Sequence, residues 1–124
     1  MAEITVDASV VAAMVFGEER APEARSLLRG AELYSPTLLA YELASVARVK
    51  SLRSPESRQS IREMLIAALG MEFHWVEVAH AEALDLALAT GLSTYDASYL
   101  CVAMTGGMKL VTFDQRLQAA AAGM

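Results

Sequence analysis

One cysteine, Cys101, stands among 124 residues, so neither an internal disulfide nor a multi-cysteine metal site is available. Alone, it reads as a small apolar residue packed in a helix. Histidine is almost as scarce. His74 falls in an expected strand and His80 near an expected helix start, without zinc-ligand spacing, so both are expected to be structural or surface groups. No apolar run approaches the ~20 residues that would span a bilayer. The opening Met-Ala-Glu-Ile-Thr-Val-Asp lacks a basic stretch followed by an apolar one, so no secretory signal is expected and a cytoplasmic location follows. Repeats, low-complexity linkers and composition breaks are absent too, which points to one domain over residues 1–124.

Charge is sparse, at 20% of residues against 55% hydrophobic ones, so the chain is globular. Net charge is −5 and the isoelectric point about 4.9, which argues against a general nucleic-acid coat protein. The basic residues are unevenly spread. Five of the ten, Arg48, Lys50, Arg53, Arg58 and Arg62, fall in one stretch with only Glu56 and Glu63 nearby. They form either a local RNA-binding lip or ordinary solvated helix faces.

Residues 3–7 (Glu-Ile-Thr-Val-Asp) read as a buried strand, followed by helices over Ala8–Phe16 and Ala21–Arg29. Residues 31–34 make a second strand. Ser35-Pro36 then has the serine cap and first-turn proline of a helix running to about Lys50. Ser54-Pro55-Glu56 opens the next helix in the same way, ending near Gly70. A third strand is expected over 73–78, helices over His80–Thr90 and Ser93–Met104, a fourth strand over 109–113, and a last helix from Asp114. Strands alternating with helices imply a three-layer α/β sandwich around a parallel sheet of four or five strands.

In such a sheet, ligands collect beyond the carboxyl ends of the strands. Asp7 ends the first strand and Asp114 follows the fourth. Asp96 lies in the first turn of its helix, where Ser93-Thr94-Tyr95-Asp96 has capping-box spacing. Each aspartate could serve as a helix cap and nothing more. Glu42 is harder to explain that way. Its helical neighbours Leu38, Leu39, Ser45 and Val46, with Val49 a turn beyond, set a carboxylate on a mainly apolar stripe. Asp96 shares its face with Leu100 and Ala103. No lysine or arginine at helical spacing neutralises either acid. A divalent cation is the simplest compensation for several inward carboxylates, and an all-oxygen donor set selects Mg²⁺ or Mn²⁺.

Four segments carry a resemblance. Val6-Asp7-Ala8-Ser9, Tyr41-Glu42-Leu43, Tyr95-Asp96-Ala97-Ser98-Tyr99-Leu100 and Leu110-Val111-Thr112-Phe113-Asp114 resemble, in order and spacing, the acidic motifs of PIN-domain nucleases. The length is most similar to that of VapC toxins of toxin–antitoxin pairs. The resemblance implies a Mg²⁺- or Mn²⁺-dependent endoribonuclease acting on RNA phosphodiesters, a homodimer, and an antitoxin protein that inserts into the active-site groove. It makes Asp7, Glu42, Asp96 and Asp114 the metal-binding, catalytic acids. Ser9 and Thr112 match hydroxyl positions beside the site, with helix capping and strand propensity as their structural alternatives. The family's closing short strand has no counterpart in the final Ala-Ala-Ala-Ala-Gly-Met. Two other readings stand beside this one: a phosphoacceptor receiver, for which Lys109 is the available lysine, and a catalytically idle PIN-like interaction module.

Overall fold

The computed structural model describes residues 1–124. Strand β1 (Glu3–Val6) leads into α1 (Ala8–Val15) and α2 (Ala21–Leu28). Strand β2 (Glu32–Pro36), helix α3 (Leu38–Arg53), a 3₁₀ turn over Pro55–Ser57 and helix α4 (Arg58–Leu69) follow. Then come β3 (Phe73–Val76), α5 (His80–Thr90), α6 (Thr94–Gly106), β4 (Lys109–Val111) and α7 (Gln115–Ala122).

All strand pairings are parallel, in the order β3-β2-β1-β4, so the sheet has four strands. Helices cover both faces. On one side α1 packs on α2, α3 and α4; on the other α5 pairs with α6, which lies across β1, β2 and β4. Central β1 is therefore buried on both faces, with Ile4, Thr5 and Val6 all shielded. The core continues through Val10, Val11, Leu33, Leu39, Leu43, Tyr99, Leu100 and Leu117.

The strand order places a switch point at β1. The chain moves from β1 out to β2 and β3, then returns to add β4 on the opposite side of β1. The crevice beyond the carboxyl ends of β1 and β4 is where such a sheet opens for a ligand.

Two local signals resolve differently from the sequence expectation. Ser35-Pro36 does not open α3, because both residues continue β2 and pair with Trp75 and Val76 of β3. The Ser35 hydroxyl donates instead to the Val6 carbonyl (3.0 Å), tying β2 to the end of β1. α3 starts two residues later, after Thr37, without a side-chain cap. Pro55 likewise begins the 3₁₀ turn rather than α4 itself. Ser93 caps α6 as its spacing predicted, accepting from the Asp96 N–H at 3.1 Å. β4 stops at Val111, two residues short of the expected end, because Thr112 and Phe113 turn into the crevice.

Candidate active site

Asp7 sits at the first turn of α1 and is 6% exposed, yet its carboxylate does not cap the helix. Both oxygens are held by hydroxyls. Ser9 Oγ donates to Oδ1 at 2.7 Å and Thr112 Oγ1 to Oδ2 at 2.6 Å. Each hydroxyl is itself oriented by the β4–α7 turn. Phe113 N–H donates to Ser9 Oγ (2.9 Å) and Asp114 N–H to Thr112 Oγ1 (3.0 Å), which fixes the hydroxyl hydrogens toward Asp7. A further bond from Asp7 N–H to the Val111 carbonyl (3.3 Å) ties the start of α1 to β4. Burial pushes the Asp7 carboxyl above its ordinary value, opposed by the Thr112 and Ser9 hydroxyls.

Glu42 is half-buried on α3 and accepts a hydrogen bond from the Tyr99 hydroxyl of α6. Its carboxyl is also raised, mainly by burial, against the opposing Tyr99 bond; the charges of Asp96 and Asp7 push it further up. Tyr99 is 1% exposed, and its hydroxyl is driven far above the ordinary range by burial and by Glu42, with Asp7 and Asp96 adding to the effect. Glu42 therefore lies close enough to Asp96 and Asp7 to feel their charges, across three separate elements.

Asp96 presents its carboxylate from the first turn of α6, half-buried, while its backbone N–H serves the Ser93 cap. Asp114 differs from the other three. It is exposed, and its Oδ1 caps α7 by accepting from Leu117 N–H at 2.9 Å. The capping alternative is thus real for Asp114, at the rim of the crevice, and leaves its second oxygen available.

No three acids of the chain are gathered at chelating separation in the protein alone. Asp7, Glu42, Asp96 and Asp114 form no ion pair. The donors fit a hard divalent cation in kind. They are all carboxylate oxygens, and Asp96, Glu42 Oε2 and Asp114 Oδ2 are not engaged by another side chain or by a capping N–H.

The PIN domain family profile matches residues 4–123. This chain belongs to the PIN-domain family. It is 34% identical over 120 residues to a Pyrobaculum aerophilum protein named Ribonuclease VapC3, covering 93% of this chain and 92% of that one. The crystal structure of PAE2754 from the same organism superposes with a TM-score of 0.79 at 28% identity, over 98% of this chain and 81% of its own. That of Mycobacterium tuberculosis VapC20, a sarcin-ricin loop cleaving toxin, gives a TM-score of 0.69 at 19% identity over 94% of each chain, a likeness of fold.

A receiver-type reading is incompatible with this PIN domain in its geometry as well. Lys109 pairs with Ile4 at the opposite end of the sheet from Asp7.

The crevice of this PIN domain widens into a cavity of about 650 Å³ bounded by Ser9, Glu18, Arg20, Glu42, Ser45 and Phe113. Arg20 stacks its guanidinium 3.7 Å above the Phe113 ring and pairs with Glu23 through two bonds of 2.8 and 3.0 Å. Of the basic stretch, Arg48, Arg53, Arg58 and Arg62 are exposed, and none forms an ion pair. Lys50 is bound to Glu18 at 2.9 Å, so its charge is already matched. Spacing along α3 puts Lys50 and Arg53 on the Glu42 side and turns Arg48 away.

Tyr99 and Arg20 were not identified from the sequence. Tyr99 follows Asp96 by three residues, one turn along the same face, but that spacing alone does not separate a site residue from a core tyrosine. Nothing local marks Arg20, whose ring partner comes from the far side of the chain.

Proposed function

We propose that this PIN domain is an endoribonuclease that hydrolyses RNA phosphodiester bonds with Mg²⁺ or Mn²⁺ held by Asp7, Glu42, Asp96 and Asp114. The observation that carries the reading is a buried, hydroxyl-clamped Asp7 at the switch point of the sheet and a half-buried Glu42 that feels the charges of Asp96 and Asp7, none of the three in an ion pair. The kinship to Ribonuclease VapC3 supports the same chemistry. A bound divalent cation supplies an acidified water and charge neutralisation at the phosphate.

The protein's own groups have definable tasks. Ser9 and Thr112 hold both Asp7 oxygens in place, and the Phe113 and Asp114 amides hold those hydroxyls. Tyr99 stays protonated at neutral pH, so it is a permanent donor that fixes the direction of Glu42. Arg53, Arg58 and Arg62 are the available phosphate contacts, with Arg48 turned to the other side of α3 and Lys50 available only when Glu18 releases it. Attraction from this side offsets repulsion of RNA by the net charge of −5.

By the same reading, the chain acts as one domain and is the toxin of a VapBC-type pair. It works in the cytoplasm, forms a homodimer and is silenced by a small antitoxin protein. No helix is long and apolar enough to cross a membrane.

Cleavage of a labelled RNA by the purified chain, with Mg²⁺, Mn²⁺ or EDTA, tests the proposal. Activity is expected only with the metals, and Glu42→Gln should lower it about 100-fold. Equal activity in EDTA, or in the Glu42→Gln protein, would refute it.

A further inference from the structure

A second cavity opens at the carboxyl ends of β2 and β3, on the same edge of the sheet as the crevice. It has a volume of about 320 Å³ and lies among the N-terminal turns of α3, α5 and α6, with Thr37, Leu38, Val78, His80, Thr94 and Tyr95 on its walls. Two of these residues are tied to the candidate acids. Tyr95 immediately precedes Asp96, and Leu38 lies one helical turn before Glu42.

We propose that this cavity is a nucleobase subsite that receives one unstacked RNA base next to the cleaved phosphodiester. The inference rests on the ribonuclease reading and adds to it where the RNA sequence is read.

Its chemistry separates it from the acidic crevice. No Asp, Glu, Lys or Arg lines the cavity. No permanently charged side chain recruits a phosphate here and His80 alone makes no metal site, so a neutral group is the fitting occupant. Part of its lining is apolar, Leu38, Val78 and Ala83 among it, and Tyr95, 64% exposed, lies on the same cavity. An exposed ring beside an apolar lining suits the flat face of a base, which stacks on aromatic side chains.

Polar groups ring the same space. Ser98 Oγ donates to the Tyr95 carbonyl at 2.5 Å, leaving its lone pairs open to a base N–H. Thr37, Thr94 and His80 carry side-chain donors and acceptors with no hydrogen-bond partner in the protein. Convergent polar groups around an apolar lining, at the small end of the usual ligand-pocket volume, match one base better than a peptide segment. In single-stranded RNA, a base held there would fix which phosphate reaches Asp7, Glu42 and Asp96.

The test uses the whole chain, metal-free, titrated with each of the four ribonucleoside 5′-monophosphates while backbone amide NMR shifts are followed. At least one nucleotide should move the amides of Thr94–Ser98 and Thr37–Leu38. Tyr95→Ala should weaken that binding about 5-fold to 100-fold with an unchanged circular dichroism spectrum. In cleavage of a random RNA pool with Mn²⁺, Thr37→Val combined with Thr94→Val should flatten the base preference at one position beside the cut. Absence of shifts at these amides with all four nucleotides overturns the subsite, even where RNA is cleaved. So do shifts that follow protein concentration alone, which mean a second copy of the chain fills the cavity. Nucleotide shifts lost in Tyr95→Ala, in a protein that cleaves no RNA, uphold the base site and count against the nuclease reading alone.

Discussion

The Tyr99 hydroxyl donates to Glu42 Oε1, joining α6 to α3 across the acidic crevice. Glu42 thus has a neutral donor where a cation would ordinarily be expected, and the donor is itself buried in the core. A neutral donor directs the carboxylate without neutralising it. The negative charge is kept for another ligand.

Tyr99→Phe removes that direction and little volume. Glu42, half-buried, retains access to water, so the melting temperature should change by no more than a few degrees. Mn²⁺ affinity measured by calorimetry should fall about 10-fold to 100-fold. Unchanged affinity would mean that Glu42 needs no orienting partner.

Asp7 depends on two hydroxyls in the same sense. Ser9→Ala with Thr112→Val leaves its buried oxygens without side-chain donors and takes an acceptor from the Phe113 and Asp114 amides. The double variant should lose stability by roughly 2 to 4 kcal/mol in urea denaturation, since buried polar groups go unpaired. A loss below that of an ordinary surface substitution would contradict the clamp.

Metal-free stability should fall as pH rises. Asp7 and Glu42 titrate above their ordinary values of 3.8 and 4.5, chiefly through burial. The folded chain thus holds these protons more tightly than the unfolded one. Their contribution is fully present below the ordinary values and is lost as pH climbs through the raised ones. Glu42→Gln, whose amide oxygen still accepts from Tyr99, should flatten part of this fall and be more stable than wild type near neutrality, by denaturation between about pH 4 and 8. Saturating Mn²⁺ should abolish the wild-type deficit, adding about 2.7 kcal/mol at a hundred times its dissociation constant. If Glu42→Gln is no more stable than wild type at neutral pH, the Glu42 carboxylate is not under strain.

Free and paired basic residues should differ. Arg53→Glu with Arg58→Glu should weaken RNA binding at low salt and reduce the steepness of its salt dependence by about 2. Lys50→Ala should do less, because Glu18 already matches that charge. Equal effects would place the RNA track elsewhere.

Much of this was legible in the sequence, and the failures have physical causes. The three-layer parallel sheet followed from strand-helix alternation, and strand ends and an ill-placed charge pointed to the Asp7, Glu42 and Asp96 whose shared ion is proposed above. The stripe around Glu42 turned out to be the wall of a crevice. Val46 is half-buried and Val49 is 41% exposed, so the apolar neighbours there do not all face the core. Ser35-Pro36 misled because a local helix-start pattern lost to pairing with β3 and to the Val6 carbonyl. Tyr99 was invisible as a functional group because a buried tyrosine within a helix reads as core, and here it is core at one end and site at the other. Arg20 and Phe113 meet only through the fold, which no local pattern encodes.

The central claim is that distant carboxylates share one divalent ion. A crystal of the chain soaked in Mn²⁺, measured at a wavelength where manganese scatters anomalously, addresses it directly. A single strong peak bonded to Asp7 and to at least one of Glu42, Asp96 and Asp114, with oxygens at about 2.0–2.3 Å, is the predicted result. A saturated crystal with no peak in the crevice, or with manganese bound away from Asp7, would contradict the account.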